Sequence, residues 1–375
     1  MKQLKILVIR RDNIGDLLCT TPLIDTLRAH FASARIEALV NSYNAPILVG
    51  NPALDAVHFY TKIKHRESGE SALGVALNTL RLIWRLRRSR FDLIFLPGMA
   101  TKNAEKYARW LRHAHTKVIC MRDATRSQTG LVDELVDPAP YLAQHEIAKC
   151  QALLAPLGFS QEPGPMSVFP DAETCARTRE HPAFSARGKG GRLIGLHISA
   201  RKPSQQWSSE NFIELAHALC RRDSAVRLVL FWSPGTSSNP RHPGDDEKAE
   251  IIVQGCRDLP LVALPTQQLP ELISGLSLVD TLICSDGGAM HLAAALGKPI
   301  VCLFGDSSPE NWHPWAVPYR LLQPDCRAVS AISPDQVLTA YQALMEEVLS
   351  ETGTPTAEVA VIEGVREECL DRRLS

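Results

Sequence analysis

Residues Asp286-Gly287-Gly288-Ala289-Met290-His291-Leu292 lie between two apolar runs, and their reading decides the fold class. The run before them, Leu278-Val279-Asp280-Thr281-Leu282-Ile283-Cys284, reads as a buried strand. After them, Ala293-Ala294-Ala295-Leu296-Gly297 reads as a helix closed by glycine. A second buried strand follows, Pro299-Ile300-Val301-Cys302-Leu303-Phe304, ending in Gly305-Asp306. Strand, glycine turn, helix, strand is the repeating unit of an α/β protein. Such a turn aims the unbonded N–H groups of a helix start, at the positive end of its dipole, at whatever lies above the sheet. A phosphorylated ligand is the usual occupant, although many α/β proteins use Gly-Gly only to pack helix against strand.

The same alternation runs through the rest of the chain. Strands are predicted at Leu4–Ile9, Arg35–Val40, Ala56–Tyr60, Phe91–Leu96 and Lys117–Met121. Helical spacing is predicted for Asp16–His30, Leu73–Arg88, Lys102–Arg112 and His145–Leu157. Residues 158–191 are rich in Pro and Gly and contain the expected interdomain connection, with Met166–Phe169 as a candidate first strand beyond it. Leu193–Ile198 and Val226–Trp232 then read as strands, and Asn211–Arg222, Asp245–Cys256 and Pro334–Leu349 as helices. Two doubly wound parallel-sheet layouts with a cleft between them are expected. The expected limits are 1–165, 166–332, a last helix at 333–350, and a weakly ordered tail at 351–375.

A chain of 375 residues, 45% hydrophobic and 22% charged, is long enough for two separate cores. No stretch reaches the roughly twenty uncharged apolar residues that cross a bilayer. Met1-Lys2-Gln3-Leu4-Lys5-Ile6 runs directly into a strand that Arg10-Arg11-Asp12 cuts off, too short for a signal peptide, so a cytoplasmic location is expected. The ten cysteines form no Cys-x-x-Cys pair, which argues against a disulfide framework and a structural zinc site. Residues 1–130 hold 21 Lys and Arg against 10 Asp and Glu, and the remainder 20 against 31. A basic half suggests an anionic partner, and scattered solvated arginines explain it equally well; no nucleic-acid partner is expected.

Four segments carry candidate chemistry. Arg10-Arg11-Asp12-Asn13-Ile14-Gly15-Asp16 follows the first strand, where loops converge on the ligand edge of a doubly wound sheet. Gly15 permits a tight turn, and Asp16 opens a helix, where a carboxylate also serves simply as a cap. The loop lacks both the G-x-G-x-x-G spacing and a Walker A sequence. His197-Ile198-Ser199-Ala200-Arg201-Lys202 offers a hydroxyl, backbone N–H groups and two cations that suit a diphosphate. Trp232-Ser233-Pro234-Gly235, with Pro243-Gly244-Asp245-Asp246-Glu247, follows the next strand and reads either as the border of a nucleoside site or as a solvated loop with an acidic cluster at a helix start. In the opening motif, Asp286 would repel a diphosphate, so sugar hydroxyls suit it better and the N–H groups of Gly287, Gly288, Ala289, Met290 and His291 remain for phosphate. His291 is equally readable as a satisfied buried histidine. Trp312-His313-Pro314-Trp315 reads as aromatic packing.

Ile6-Leu7-Val8-Ile9-Arg10 through Asn13-Ile14-Gly15-Asp16, with Thr21-Pro22-Leu23, resembles the N-terminal signature of glycosyltransferase family 9, the ADP-heptose:lipopolysaccharide heptosyltransferases. Asn51-Pro52-Ala53-Leu54-Asp55 is similar to that family's asparagine-proline segment. Ser285 through Pro299, with Leu303-Phe304-Gly305, resembles its C-terminal signature. The resemblance covers about residues 4–349. It implies a GT-B fold of two Rossmann-like domains, the last helix crossing back to the first. It implies metal-independent, inverting transfer of a sugar from a nucleotide diphosphate to an anionic lipopolysaccharide core acceptor, with no cofactor beyond that donor.

By the same resemblance Asp16 is the expected general base, with Asn13, Gly15 and Arg11 on the acceptor side. Asp286 is expected to hold the donor sugar, and Ser199 and Ala200 to lie near the diphosphate. Where the family often places a lysine shortly before a tryptophan, this chain has Gln205 and Gln206 before Trp207. Either Lys202 or Arg201 reaches in from upstream, or the glutamines supply neutral hydrogen bonds. Base and donor site in different domains would be assembled by domain closure. The basic run Arg81–Arg90 is either a peripheral contact with the membrane surface or a solvated helix end. Other readings of the resemblance are transfer of an O-antigen or capsule sugar, a GT-B epimerase, and a non-catalytic sugar-nucleotide-binding protein.

Overall fold

The computed structural model describes residues 3–61, 72–98, 102–123, 132–181, 184, 191–238 and 244–350. The expected tail at 351–375, and Pro243 of the third candidate segment, lie outside them. The chain divides between Phe169 and Pro170 into two units, each built on its own sheet. The expected limit lay after residue 165.

The first sheet contains β1 (Lys5–Ile9), β2 (Arg35–Asn41), β3 (Ala56–Tyr60), β4 (Leu93–Leu96), β5 (Lys117–Met121) and β6 (Glu134–Val136). Its order is β3-β2-β1-β4-β5-β6, and every pairing is parallel. Val8 sits in register between Ala38 and Phe95. Helices cover both faces of such a sheet, which is why Ile6, Leu7, Val8 and Ile9 form an unbroken apolar run, all buried.

The second sheet contains β7 (Arg192–His197), β8 (Val226–Trp232), β9 (Leu261–Pro265), β10 (Thr281–Ser285), β11 (Ile300–Leu303) and β12 (Tyr319–Leu322), in the order β12-β11-β10-β7-β8-β9, again all parallel. In each unit the chain walks outward through its first three strands, then returns to the other side of the first. The two winding directions part between β1 and β4, and between β7 and β10. Loops leaving the carboxyl ends of those strands diverge and leave a crevice, the usual ligand position of an open α/β sheet.

Several local expectations are corrected. The helix expected over Asp16–His30 is two helices, Ile14–Leu18 and Thr21–His30. Pro22, in the first turn of the second, has no N–H to continue the earlier ladder. The helix expected at His145–Leu157 is α-helical only from Glu146 to Gln151 and tightens to a 3₁₀ helix over Ala152–Leu157, which contains Pro156. Met166–Phe169 forms no strand. Ser167 donates to side chains and not to a strand: its N–H donates to Thr21 Oγ1 (2.9 Å) and its hydroxyl to Asp25 (3.2 Å), both in the first unit. Within the stretch read as a connection, Ala172–Glu180 is a helix capped by Asp171, whose carboxylate accepts from the Thr174 N–H at 2.8 Å.

The last described helix, Pro334–Ser350, buries Val337, Ala340, Tyr341 and Leu344 in one cluster with Leu215, Ala216 and Leu219 of the helix Ser209–Arg222. Trp207 anchors the same core. Its ring packs edge-on against Phe212, and its indole N–H donates to Ile332 O at 2.8 Å.

Candidate active site

In the first unit the loop after β1 is built around a buried cation. Arg10 is buried, and its Nη2 lies 2.8 Å from Asp16 Oδ1 and 3.0 Å from Glu146 Oε1, with Nε 3.1 Å from Asp12. A buried guanidinium needs such partners to offset lost hydration. The other oxygen of Asp16 accepts from the N–H of Asn13 (3.0 Å) and from its side-chain amide (3.1 Å). Asp16 therefore caps the helix Ile14–Leu18 and pairs with Arg10 at once, and its plane is fixed from both sides. An ionised carboxylate accepts at about four positions. Three are occupied here, which leaves one.

Gly98, two residues beyond the end of β4, completes this arrangement across the switch point. Its φ of +68° is a left-handed conformation, and a Cβ there would meet Arg10 Nη1 at 2.1 Å and Glu146 Oε1 at 2.5 Å. Arg11 takes a different course. Its guanidinium lies 4.4 Å from the Tyr60 ring centre and 4.3 Å from that of Tyr107, and its Nε donates to the Tyr60 hydroxyl. Asn41 and Asn44 bind the carbonyls of this loop: Asn41 donates to Arg11 O and both donate to Asp12 O. The asparagine-proline segment does structural work. Asn51 caps the Ala53 N–H, and Asp55 accepts from Arg28 and from the Ile36 N–H.

In the second unit Gln205 joins three loops. Its amide donates to Asp286 Oδ2 (2.7 Å), in the loop after β10, and to Ser307 Oγ (3.1 Å), in the loop after β11. Gly305 makes the close approach possible, since a Cβ there would lie 2.2 Å from Ser204 O. Where the resemblance expects a lysine, a neutral amide orients Asp286. Lys202 pairs instead with Asp306 (3.2 Å), both side chains more than half exposed, and Gln206 donates to Ala200 O (3.3 Å). Beyond Asp286, Gly287 is extended and caps the helix Gly288–Ala295 without a side-chain bond. Space beside Gly287 is open. Ala289 and Met290 have buried side chains, so they present only backbone N–H groups at that helix start. His291, expected to offer its N–H as well, is corrected: that N–H already donates to Gly287 O at 3.4 Å, the first bond of the helical ladder. The ring of His291 meets Trp312 edge-on at 5.9 Å.

Ser199 is tied to the loop after β8, its hydroxyl accepting from the Ser233 N–H (2.9 Å). A cation unforeseen in the sequence lies beneath it. Lys248 donates to Ile198 O (3.0 Å). Burial lowers its pKa, partly opposed by Asp245, whose own pKa burial raises. Burial, with Lys248 nearby, pushes the neighbouring His197 down to about 4.

The structure thus gathers Asn13, Gly15 and Asp16 in the first unit. In the second it gathers Gln205, Asp286 and the Gly287–His291 helix start, with Ser199 and Ala200 on the adjacent β7 loop. Arg11 and Lys202 turn to other partners. Sequence reasoning missed Glu146, Gly98 and Lys248.

The sequence profile of glycosyltransferase family 9 (heptosyltransferase) matches residues 79–329. The chain belongs to that family. A lipopolysaccharide heptosyltransferase 3 of Escherichia coli is 27% identical to this family member over 307 residues, 80% of this chain and 84% of the relative. Among solved structures, the family 9 glycosyltransferase of Veillonella parvula DSM 2008 has a TM-score of 0.74 at 19% identity, covering 92% of this chain and 97% of that one. The E. coli ADP-heptose lps heptosyltransferase II has a TM-score of 0.70 at 21% identity, covering 93% and 100%. The fold of this family 9 glycosyltransferase is GT-B, two Rossmann-like α/β units with parallel sheets.

Two stability predictions follow from the site. Gly98→Ala must both strain the backbone and displace the buried ion cluster, so it should cost about 2–4 kcal/mol, read as a lowered urea midpoint. His313 stacks on Tyr319, and burial, then His291, pushes it down to about 4 from 6.5. Below pH 6.5 the unfolded chain takes up a proton that the folded protein refuses until about 4. The stability present above pH 6.5 is therefore lost as pH falls through this window, by on the order of 2 kcal/mol for this one group. His313→Phe should flatten the decline of the urea midpoint between these pH values, and an unchanged slope would contradict the assignment.

Proposed function

We propose that this chain transfers a heptose from ADP-heptose to a lipopolysaccharide core acceptor, with inversion and without a metal step. Family membership supports the reaction class, and the names of the relatives support the sugar and the acceptor. The observation that carries the donor side is the bond from Gln205 to Asp286 across the β7/β10 switch point, beside a helix start with open space at Gly287. A carboxylate held there suits sugar hydroxyls. The helix-start N–H groups suit a diphosphate whose charge grows as the glycosidic bond breaks, and fixed dipoles meet that charge without reorganising. Lys248, close beneath the β7 loop, adds positive potential to the same region.

On the acceptor side Asp16 takes the proton of the attacking hydroxyl as the new bond forms. Arg10 and Asn13 fix its direction and leave one acceptor position for that hydroxyl. Arg10 stays charged throughout, and the proton moves onto Asp16 alone.

Asp16→Asn should reduce transfer by roughly 10²–10⁴-fold while the donor's Kd stays near the wild-type value. Wild-type turnover in that variant, measured with a lipid acceptor, would remove the base from the proposal. Asp286→Ala should weaken ADP-heptose more than ADP in calorimetric titrations, and equal losses for both ligands would exclude a sugar contact.

A further inference from the structure

The helix Ala72–Ser89 has two apolar faces. One is accounted for, since Val75, Leu82, Ile83 and Leu86 are buried in the first unit. The other is not. Leu73, Leu77, Leu80 and Trp84 are 71%, 45%, 60% and 59% exposed. At 3.6 residues per turn these four fall within about 60° of one another on the helix surface. They form a single outward stripe roughly opposite the core face. Phe59 of β3, 57% exposed, lies beside it, across a groove of about 570 Å³ also lined by Trp84, Arg81 and Arg85.

The charges around this stripe have one sign. The helix contains Arg81, Arg85, Arg87 and Arg88 and no Asp or Glu. Arg88 lies over the Trp84 ring at 3.5 Å, so the indole carries a cation at its margin. Arg87 donates to the carbonyls of Trp110 and Arg112 and holds the end of the helix to the body of the unit. Apolar side chains in a narrow stripe, a tryptophan at its edge and arginines beside it form the pattern of a helix that lies in a lipid interface. Among the described residues no helix is long and apolar enough to cross a membrane, so this one would lie on the surface. A second copy of the chain fits the stripe less well. A twofold contact would bring the same arginines together across the axis.

We propose that the outward stripe Leu73-Leu77-Leu80-Trp84 and the flanking Arg81, Arg85 and Arg88 dock this protein onto an anionic lipid bilayer. The helix follows β3, so it starts at the carboxyl edge of the first sheet, the edge that carries the loop of Asp16. It ends at the opposite edge, where Lys5 Nζ donates to Ser89 O at 3.0 Å, so docking along the stripe lays the flank of the first unit, from one sheet edge to the other, against the bilayer. The inference concerns the surface alone; only the ADP-heptose control below rests on the donor proposed above, and circular dichroism serves as the control without it.

The test is cosedimentation of the full chain with vesicles of phosphatidylethanolamine and phosphatidylglycerol, against vesicles of phosphatidylcholine alone. Binding should favour the anionic vesicles at least tenfold and weaken as salt rises. Leu77→Glu with Leu80→Glu should lower it at least tenfold, as should Arg81→Glu with Arg85→Glu. Both double variants should keep wild-type circular dichroism and ADP-heptose affinity, because the substituted side chains are exposed and lie outside the donor-side unit. Trp84→Phe should remove most of the fluorescence blue shift seen on adding vesicles. Wild-type vesicle binding in either double variant would overturn the proposal. So would light scattering that shows a wild-type dimer broken by Leu77→Glu with Leu80→Glu.

Discussion

The reversal of winding direction beside the first strand of each sheet is the constraint on which everything else depends. A chain that steps outward three strands and then returns must send the loops after β1 and β4, and after β7 and β10, to opposite sides. Only the first backbone groups of those loops still reach a neighbouring strand, as Arg10 N–H does to Leu39 O and Asp286 N–H to Leu303 O. Several carbonyls further along are bound by side-chain amides, those of Arg11 and Asp12 by asparagines and, after β11, those of Gly305 and Ser307 by Gln323. Asn41 and Asn44 bind the loop carbonyls in the first unit, and Gln205 laces three loops in the second. Polar residues that look like an excess in the sequence are the means by which an irregular edge is held still.

The two edges solve the problem with different electrostatics. In the first unit a buried guanidinium gathers Asp12, Asp16 and Glu146, and breaking such a cluster leaves an uncompensated charge. That makes Asp16 rigid, which suits a group that must meet a hydroxyl at one angle. In the second unit the carboxylate of Asp286 is oriented by a neutral amide, and a half-buried cation, Lys248, is engaged elsewhere, by the carbonyl of Ile198 under the β7 loop. A cationic residue at position 205 would partly neutralise Asp286. A glutamine directs it while leaving its charge for a ligand.

Much of this could be read from the residues. The buried strands announced themselves as Val-, Ile- and Leu-rich runs, and the glycine turn at Gly287 and the carboxylate at Asp16 stood where the switch points now lie. Short or half-buried elements did not. β6, β9 and β12 carry too few core residues for a period to show, and the helix Leu269–Leu278 was hidden by Pro270 and Gly275, although Pro270 lies in a first turn that tolerates it. The cap Asp171-Ala172-Glu173-Thr174 was overlooked inside a proline-rich stretch. Glu146 was out of reach for another reason. It meets Arg10 from 136 positions away, and nothing local distinguishes a carboxylate that will be buried from one that will not.

The placement of the helix Pro334–Ser350 bears on how the polypeptide matures on the ribosome. The first unit closes within residues up to Phe169, so it can reach its native state while the remainder is still being translated. The second has no such freedom. Until the helix beginning at Pro334 emerges from the exit tunnel, Leu215 and Leu219 lack the partners that cover them. The second unit therefore completes its core only when its last described helix is available, however early its sheet forms.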